Sequence, residues 1–319
     1  MRLAAQTGTF FAIIFLLNLD VGRGAVTLDA LGLYLTKNGY GGAQLVQLGN
    51  FYHLPIQLSG QPGNLLVDTG SPRTLIFRSS LKRLNLIESK TTDQVSSAFG
   101  RGRDVYGLTT IKTLTTGNCT LTNVSASVAS GSADSSFSHP HSNGLLGLRE
   151  LIKFGAVLDL RNRLVYLRPS RPSDGVGSEI KSILSHQGYT AVTLLLRDNH
   201  VYVAGAINGA ACYFIVDTGG YVTCLDINFA TRAKLKIAPT RLVAEGFNSR
   251  SPVGITIFAS LRIGNYQIKH GSASIVRLDP RVFGPNSEIA GLIGAEYLGI
   301  NRAIFDFVSG TMYLRPPPR

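Results

Sequence analysis

The stretch YFIVDTGGYVTCLD, residues 213–226, places an acidic residue directly after four apolar ones. The run Tyr213–Val216 is typical of a buried β-strand, and Asp217 follows it. A carboxylate at the end of a buried strand is unfavourable unless another group pairs with it or shares its proton. The pattern therefore predicts a partner for Asp217 in the folded protein.

A second stretch, NLLVDTGSPRTLIF at residues 64–77, repeats this pattern. Asp68 follows the apolar run Leu65–Val67, and threonine and glycine follow both acids. The two acids are 149 residues apart. The chain thus contains two copies of an apolar strand that ends in Asp-Thr-Gly.

The duplication extends over most of the chain at offsets of 147–149 residues. The matching segments are 35–40 with 184–189, 51–70 with 200–219, 107–128 with 254–275, and 144–169 with 291–316. Their patterns predict strands, β-hairpins and short helices, although GAEYLGI at 294–300 fits a helix less well because it is short and contains Gly299. We expect two homologous lobes, 26–170 and 178–319, joined by a linker at 171–177 that is rich in Ser, Pro and Gly.

The composition is that of a globular protein rich in β structure. Of the 319 residues, 44% are apolar, 16% are charged and 35 are glycine. The net charge of +12 is dispersed, without a block of five or more basic residues. This charge favours contact with an anionic cell surface, and nucleic acid is not the expected partner.

The first 25 residues resemble a signal peptide. Arg2 precedes the apolar run Phe10–Leu17, which is too short to span a bilayer, and the small residues Gly24 and Ala25 suit a cleavage site. We expect a secreted or periplasmic protein without a stable membrane span after cleavage. An uncleaved membrane anchor is the alternative.

The cysteines and histidines do not predict a disulfide framework or a metal site. Three cysteines are too few for a framework, although Cys212 and Cys224 flank Asp217 and either pair or are free core residues. The HPH sequence at 139–141 has no third ligand nearby. We expect neither a metal nor a cofactor, with Cys119 a buried core residue.

Two Asp-Thr-Gly turns that meet at a pseudo-twofold axis suit one chemistry. Carboxyl groups about 3 Å apart cannot both ionise, so one keeps a proton. A water between them can lose a proton to the ionised carboxylate while the protonated carboxyl hydrogen-bonds a substrate carbonyl. The expected reaction is hydrolysis of an amide without a covalent intermediate.

The chain resembles the aspartic proteases of the retropepsin–pepsin type, and most of all the bacterial retropepsin-like predicted aspartyl proteases with two lobes in one chain. The motifs that carry the resemblance are VDTGS (67–71), VDTGG (216–220), LLG (145–147) and LIG (292–294). The resemblance implies an all-β fold with minor α content. Two acid-protease barrel lobes would be related by a pseudo-twofold axis, with the active site between them.

The resemblance also implies roles at the matching positions. Asp68 and Asp217 would activate the water, and Thr69 and Thr218 would hydrogen-bond across the lobe interface.

The residues that follow the threonines would support the two turns. Gly70 and Gly219 would let the backbone turn closely. Ser71 fits the family, which carries Ser, Thr or Ala at the next position, whereas Gly220 departs from it. We expect this departure to remove side-chain support and so tune the acid rather than abolish it.

Flap hairpins would cover the cleft. Their tips are predicted within 99–107 and 245–254, where Tyr106 and Phe247 would contact substrate or be ordinary strand residues. Asp159 and Asp306, which occupy matching positions in the two lobes, are expected to be structural.

We therefore expect an aspartic endopeptidase that acts on a peptide or protein substrate as a monomer with an internal pseudo-dimer. The alternative, favoured by Gly220, is a catalytically inactive peptide-binding or inhibitory module with the same fold. A third arrangement would pair the lobes between two chains.

Overall fold

The structure, a computed structural model, describes residues 28–89, 92–96, 103–129, 142–170, 175–246, 249–279 and 288–317. The predicted signal peptide and the HPH sequence lie outside this part of the chain.

The first half of the chain contains two helices and eleven strands among these residues. They are α1 (Ala30–Lys37), β1 (Gly41–Gln44), β2 (Val46–Leu48), β3 (Phe51–Leu58), β4 (Gln61–Asp68), β5 (Leu75–Phe77), β6 (Thr92–Ser96), β7 (Arg103–Thr116), β8 (Cys119–Ala129), β9 (Gly144–Gly147), α2 (Leu148–Lys153), β10 (Val157–Asp159) and β11 (Leu164–Leu167). A 3₁₀ turn spans Arg78–Ser80.

The second half repeats this order, with a short helix in place of the 3₁₀ turn. Its elements are α3 (Val176–His186), β12 (Thr190–Thr193), β13 (Leu195–Arg197), β14 (His200–Ile207), β15 (Ala210–Val216), β16 (Cys224–Asp226), α4 (Ile227–Arg232), β17 (Ala238–Gly246), β18 (Ser249–Ile263), β19 (Tyr266–Val276), β20 (Ile289–Ile293), α5 (Ala295–Ile300), β21 (Ile304–Asp306) and β22 (Thr311–Leu314). The chain is therefore mostly β with minor α content, as the sequence predicts.

Local sequence explains most of these elements. The predicted hairpins are β7–β8 and β18–β19, whose turns use Gly117 and Gly264 at φ angles of 52° and 56°, where glycine is favoured. Helix α3 buries Val176, Ile180 and Leu184, one residue per turn on a single face. Because α3 begins at Val176, the last two residues of the predicted linker are helical, and residues 171–174 lie outside the described chain.

The GAEYLGI stretch forms a helix as long as its counterpart, since α5 and α2 each contain six residues. A Cβ at Gly299 would lie 2.7 Å from Tyr52 Oη of the first lobe. The glycine that weakened the helix prediction is therefore explained by close packing between the lobes.

Each lobe contains an eight-stranded sheet within the described residues. The strand order is β2-β3-β4-β9-β5-β8-β7-β6 in the first lobe and β13-β14-β15-β20-β16-β19-β18-β17 in the second. In each sheet the strand that carries the Asp-Thr-Gly motif pairs in parallel with the apolar-apolar-Gly strand: β4 with β9, and β15 with β20. The two sheets thus share one topology, as a duplicated domain requires.

A six-stranded sheet joins the lobes in the order β1-β11-β10-β21-β22-β12. At its centre, β10 pairs with β21 in antiparallel register, with Leu158 opposite Phe305. These two residues occupy equivalent positions in the repeats. The pseudo-twofold axis therefore passes between them.

The lobes share their interior. One apolar cluster contains residues of both halves, including Val67, Val216, Leu158 and Phe305, and a second lies between α1, α3 and the six-stranded sheet. This continuous burial opposes separation of the lobes. Within the described ranges, no helix has the length and apolar character needed to cross a bilayer.

Candidate active site

The two acids end equivalent central strands. Asp68 is the last residue of β4 and pairs with Gly147, while Asp217 follows β15 and donates its backbone N–H to Ile293 O over 3.0 Å. The apolar residues before each acid are buried in the lobe core. Each strand therefore delivers its acid to the lobe interface, where both residues keep partial solvent exposure.

The threonines bind the two turns to each other across the interface. Thr69 Oγ1 donates to Val216 O over 2.7 Å and accepts from Thr218 N over 3.0 Å. Thr218 Oγ1 donates to Val67 O over 2.7 Å and accepts from Thr69 N over 3.1 Å. Both threonines are fully buried, so these reciprocal bonds satisfy backbone groups that water cannot reach.

The turn glycines bring each acid against the opposite lobe. A Cβ at Gly70 would lie 2.4 Å from Asp217 Cγ, and a Cβ at Gly219 would lie 2.3 Å from Asp68 Cγ. Any larger residue would displace the facing carboxyl group. The glycines are thus required by the close approach of the two acids.

Backbone amides orient both carboxyl groups in the same way. Asp68 Oδ1 accepts from Gly70 N and Ser71 N, both over 2.9 Å. Asp217 Oδ1 accepts from Gly219 N over 2.9 Å and from Gly220 N over 3.0 Å. One oxygen of each acid is therefore held by its own turn.

The electrostatics of the pair are those of two acids that share a proton. Burial raises the pKa of Asp68 well above its ordinary value of 3.8, and the negative charge of Asp217 raises it further. Burial also raises the pKa of Asp217, but the hydrogen bond from Asp68 and the turn amides oppose this rise. Two buried carboxyl groups this close titrate as one pair, and burial favours a form in which the pair keeps a proton.

No side-chain hydrogen bond to the acid distinguishes Ser71 from Gly220. Ser71 Oγ donates to Arg73 O over 2.8 Å and not to Asp68. The expectation that Gly220 removes side-chain support from Asp217 is therefore wrong, because the hydroxyl of the equivalent serine serves the backbone of its own turn.

Each apolar-apolar-Gly strand passes behind an Asp-Thr-Gly turn and meets a threonine that sequence reasoning missed. Gly147 N donates to Thr74 Oγ1 over 3.1 Å, and Gly294 N donates to Thr223 Oγ1 over 2.9 Å. A Cβ at Gly147 would lie 2.2 Å from the backbone of Arg73. The glycine of the motif thus lets this strand lie against the turn.

A buried glutamate supports each of these threonines, and neither glutamate was predicted. Glu150 Oε2 accepts from Thr74 N over 3.1 Å and from its hydroxyl over 2.7 Å, and Glu296 Oε1 accepts from Thr223 N. The signal in the sequence is an acid in the first turn of each helix that follows the apolar-apolar-Gly motif.

An aromatic contact also joins the lobes beside the acids. The rings of Phe51 and Tyr221 meet edge to face with centroids 5.1 Å apart, and Asn50 Nδ2 donates to Tyr221 O over 2.9 Å. Tyr221 follows the second catalytic turn and keeps 46% of its surface exposed.

The two predicted flap hairpins have described stems. Strands β6 and β7 pair up to Ser96 opposite Arg103, and β17 and β18 pair up to Gly246 opposite Ser249. Tyr106 lies in β7, but its side chain is not among the parts that the structure describes. Phe247 lies outside the described residues. The contacts of these two residues with substrate stay predictions.

The cysteines are free. Cys119, Cys212 and Cys224 are all buried and unpaired. No disulfide therefore joins β15 to β16, the strands on either side of the second Asp-Thr-Gly turn. Among the described residues, no group of three His, Cys, Asp or Glu side chains is placed to hold a metal ion.

Comparison with known proteins agrees with this geometry. A model of the aspartyl protease family matches the chain twice, at residues 54–149 and 203–297. No curated protein resembles the chain closely enough to count as a match. The two matched segments contain the two Asp-Thr-Gly turns and the two apolar-apolar-Gly strands. The chain therefore belongs to the aspartyl protease family, with one copy of the family domain in each lobe.

Proposed function

We propose that the protein is an aspartic endopeptidase that hydrolyses peptide bonds with water activated by Asp68 and Asp217. Asp217, in its ionised form, accepts a proton from the water, and Asp68 donates its proton to the oxygen of the scissile carbonyl. The water oxygen bonds to the carbonyl carbon and gives a tetrahedral gem-diol rather than a covalent enzyme intermediate. The C–N bond then breaks as Asp217 gives its proton to the amine nitrogen and Asp68 takes one back from a hydroxyl of the gem-diol, which restores both acids. One observation carries the proposal: the turn of each lobe packs against the acid of the other, so closely that a Cβ on either turn glycine would lie 2.3–2.4 Å from the facing Cγ, and burial raises the pKa of both acids.

The proposed substrate is an extended peptide bound between the lobes. The strands β6–β7 and β17–β18 extend from equivalent positions in the two lobe sheets and would cover the peptide as flaps. An extended peptide binds such a groove largely through main-chain hydrogen bonds, and side-chain pockets set the preference. In this proposal the threonines and glycines of the turns support the acids rather than contact the substrate.

An inactive peptide-binding or inhibitory module is the second candidate. The observation that favoured it was Gly220. Since the equivalent hydroxyl of Ser71 donates to Arg73 O, a glycine at this position does not remove a hydrogen bond from the acid. Both acids, both threonines and both turn glycines are in place, which supports the enzyme over the module.

The test is digestion of a peptide library from about pH 3 to about pH 8 by the wild type, Asp68→Asn and Asp217→Asn. We expect the wild type to cut and each variant to lose at least about a thousandfold in kcat, with thermal midpoints near that of the wild type. Glu179→Gln is the control, because it removes an exposed carboxylate of α3 that lies outside the two turns.

An inhibitor that mimics the tetrahedral transition state should block cleavage by the wild type. If the wild type cuts no peptide but binds peptides from the library, the inactive module is correct. If Asp217→Asn cuts at the wild-type rate, the assignment of the acids is wrong.

We also propose that the protein is exported, cleaved near residue 25, and active as a monomer in a secreted or periplasmic location. The shared core of the two lobes supports a monomer, because one chain supplies both acids. N-terminal sequencing of protein from cell fractions separates cleavage from an uncleaved anchor. Analytical ultracentrifugation separates a monomer from lobes paired between chains.

A further inference from the structure

The two acids have nearly equivalent surroundings, so their own turns do not decide which one keeps the proton. Each carboxyl group accepts from two backbone amides at 2.9–3.0 Å. The threonine bonds across the interface are equally symmetric. The difference must come from residues outside the Asp-Thr-Gly turns.

Strand register identifies the first place where the surroundings differ. In the first lobe, His53 of β3 is opposite Leu66 of β4, so the same register places Phe51 opposite Asp68. In the second lobe, Tyr202 of β14 is opposite Ile215 of β15.

That register places His200 opposite Asp217. Residues opposite each other in antiparallel strands lie on the same face and within reach of each other. Continued two residues past its last paired position, the register therefore brings Phe51 towards Asp68 and His200 towards Asp217, and the charges of His200 and Asp217 influence each other.

The imidazole is held in position by its surroundings. His200 Nδ1 lies 3.0 Å from Asp198 O, and the ring meets Tyr202 edge to face with centroids 6.3 Å apart. Arg197 is opposite His200 in β13, and its guanidinium lies over the ring of Tyr202.

The charge balance at His200 links it to the dyad. Burial lowers the pKa of His200 below its ordinary value of 6.5, and the hydrogen bond with Asp198 O and the charges of Asp217 and Asp198 offset only part of this fall. In turn, the charge of His200 lowers the pKa of Asp217. At acidic pH, where aspartic acids of a dyad exchange their proton, a charged imidazole at His200 therefore favours the ionised form of Asp217.

We propose that His200 is a positioning residue that makes Asp217 the ionised member of the dyad and leaves the shared proton on Asp68. The inference rests on the proposed function, because it assigns the base to Asp217 and the acid to Asp68. Phe51 offers no charge at the equivalent position, so only one of the two acids is stabilised as the anion. The duplicated site thereby gains a fixed direction of proton transfer.

The first test does not require activity. NMR of the imidazole Cε1 resonances follows the pKa of His200 in the wild type, Asp217→Asn and Asp68→Asn, with the signal assigned by its loss in His200→Gln. We expect the pKa of His200 to fall in Asp217→Asn, because the neighbouring negative charge is removed, and not to fall in Asp68→Asn. His186, which has a similar Nδ1 contact with Ser182 O at 2.8 Å but lies on α3, is the internal control.

The second test is the pH profile of kcat for His200→Phe, which copies Phe51, and for His200→Gln, which keeps a donor for Asp198 O. Loss of the cation makes a second proton on the dyad more favourable, so the acidic limb should move to higher pH in both variants. On that limb activity should fall about threefold relative to the wild type, with plateau values within about twofold. His186→Phe is the matched control and should overlay the wild type.

The two tests separate the possible failures. Wild-type protein that cuts no peptide overturns the proposed function, and the NMR titration still decides the interaction between His200 and Asp217. If Asp68→Asn lowers the pKa of His200 as much as Asp217→Asn does, the ionised acid is not Asp217. Acidic limbs that coincide in the wild type and both His200 variants would also overturn the inference.

Discussion

In the first lobe, Glu150 and Asp159 each lie beside an arginine: Arg149 Nε is 2.9 Å from Glu150 Oε1, and Arg161 is 3.3 Å from Asp159 Oδ2. In the second lobe, backbone and hydroxyl groups bind the equivalent acids Glu296 and Asp306. Glu296 bonds Thr223 through one oxygen, and its other oxygen is buried without a hydrogen-bond partner.

Asp306 is also held by backbone and hydroxyl groups of its own lobe. Its carboxyl group accepts from the backbone of Val308 and from the backbone and hydroxyl of Ser309. Burial raises the pKa of both Glu296 and Asp306. The two lobes therefore have the same strand topology but stabilise their buried carboxyl groups with different partners.

The glutamates show how such a difference arises. Glu150 is the third residue of α2, whereas Glu296 is the second of α5, where the first lobe has Arg149. Glu150 and Glu296 each reach the threonine behind the Asp-Thr-Gly turn of their own lobe. The buried threonine N–H needs an acceptor, but that acceptor can come from either of two neighbouring helix positions.

The largest expected effect concerns the part of the site in which the lobes are alike. Thr69→Val and Thr218→Val each leave a buried N–H and a buried carbonyl without partners, which we expect to cost about 3 kcal/mol of unfolding free energy. Urea denaturation measures the loss. The symmetry of the contacts predicts similar costs, and the double variant should lose less than the sum because the residues share one network. Costs that differ by more than about 2 kcal/mol would show that the interface is not symmetric.

The glutamates test the difference between the lobes. Glu150→Gln removes the partner of Arg149 and should cost about 2 kcal/mol, discounted because that arginine is half exposed. Glu296→Gln keeps an oxygen for Thr223 N and removes a carboxylate without a basic partner, so the free energy of unfolding should change by less than about 1 kcal/mol. Chemical denaturation near neutral pH compares the pair. Equal losses would contradict the difference in charge compensation.

Asp306 should give the second lobe a distinct pH dependence. Because burial raises its folded-state pKa above the ordinary value of 3.8, the folded protein binds the proton more tightly than the unfolded chain. This contribution to stability is complete below the unfolded pKa and is lost as pH rises through the folded pKa. Asp306→Asn does not titrate, so its stability relative to the wild type should improve as pH rises above 3.8 and through the folded-state pKa of Asp306.

Denaturation midpoints at several pH values, read beside those of Asp159→Asn, measure this effect. Arg161 opposes the pKa rise of Asp159. The gain in stability of Asp159→Asn over the wild type with rising pH should therefore be smaller. A difference between Asp306→Asn and wild type that is flat with pH would reject the explanation.

The smallest effect is expected for Gly220→Ser, which gives the second turn the residue that the first turn has at position 71. A Cβ at this position would lie 3.1 Å from Asp217 Oδ2, a tight contact that a small shift relieves. Because the serine hydroxyl of the first lobe bonds its own turn, stability should change by about 0.5 kcal/mol or less and kcat by at most about threefold. A gain in kcat of tenfold or more would mean that the hydroxyl supports the acid after all.

Much of the site was predictable because it is written twice in short motifs. The repeated Asp-Thr-Gly and apolar-apolar-Gly segments predict the strands, the turns and the lobes. The hydrogen bonds between Thr74 and Glu150 and between Thr223 and Glu296 join residues 76 and 73 positions apart, and no local pattern connects them. The role of Gly299 was equally hidden, since a glycine is needed there because Tyr52 of the other lobe packs against it.

The sequence by itself determined the duplication, the mostly β fold and the identity of the two acids, because strand periodicity, turn glycines and a constant repeat offset are properties of neighbouring residues. Only the tertiary structure decided that the turns of Asp68 and Asp217 pack against each other and that the surroundings of the two acids differ. The physical reason is that a pKa depends on burial and on nearby charges, and these follow from strand register and lobe packing. The same repeated motif therefore provides two acids, and the fold makes them unequal.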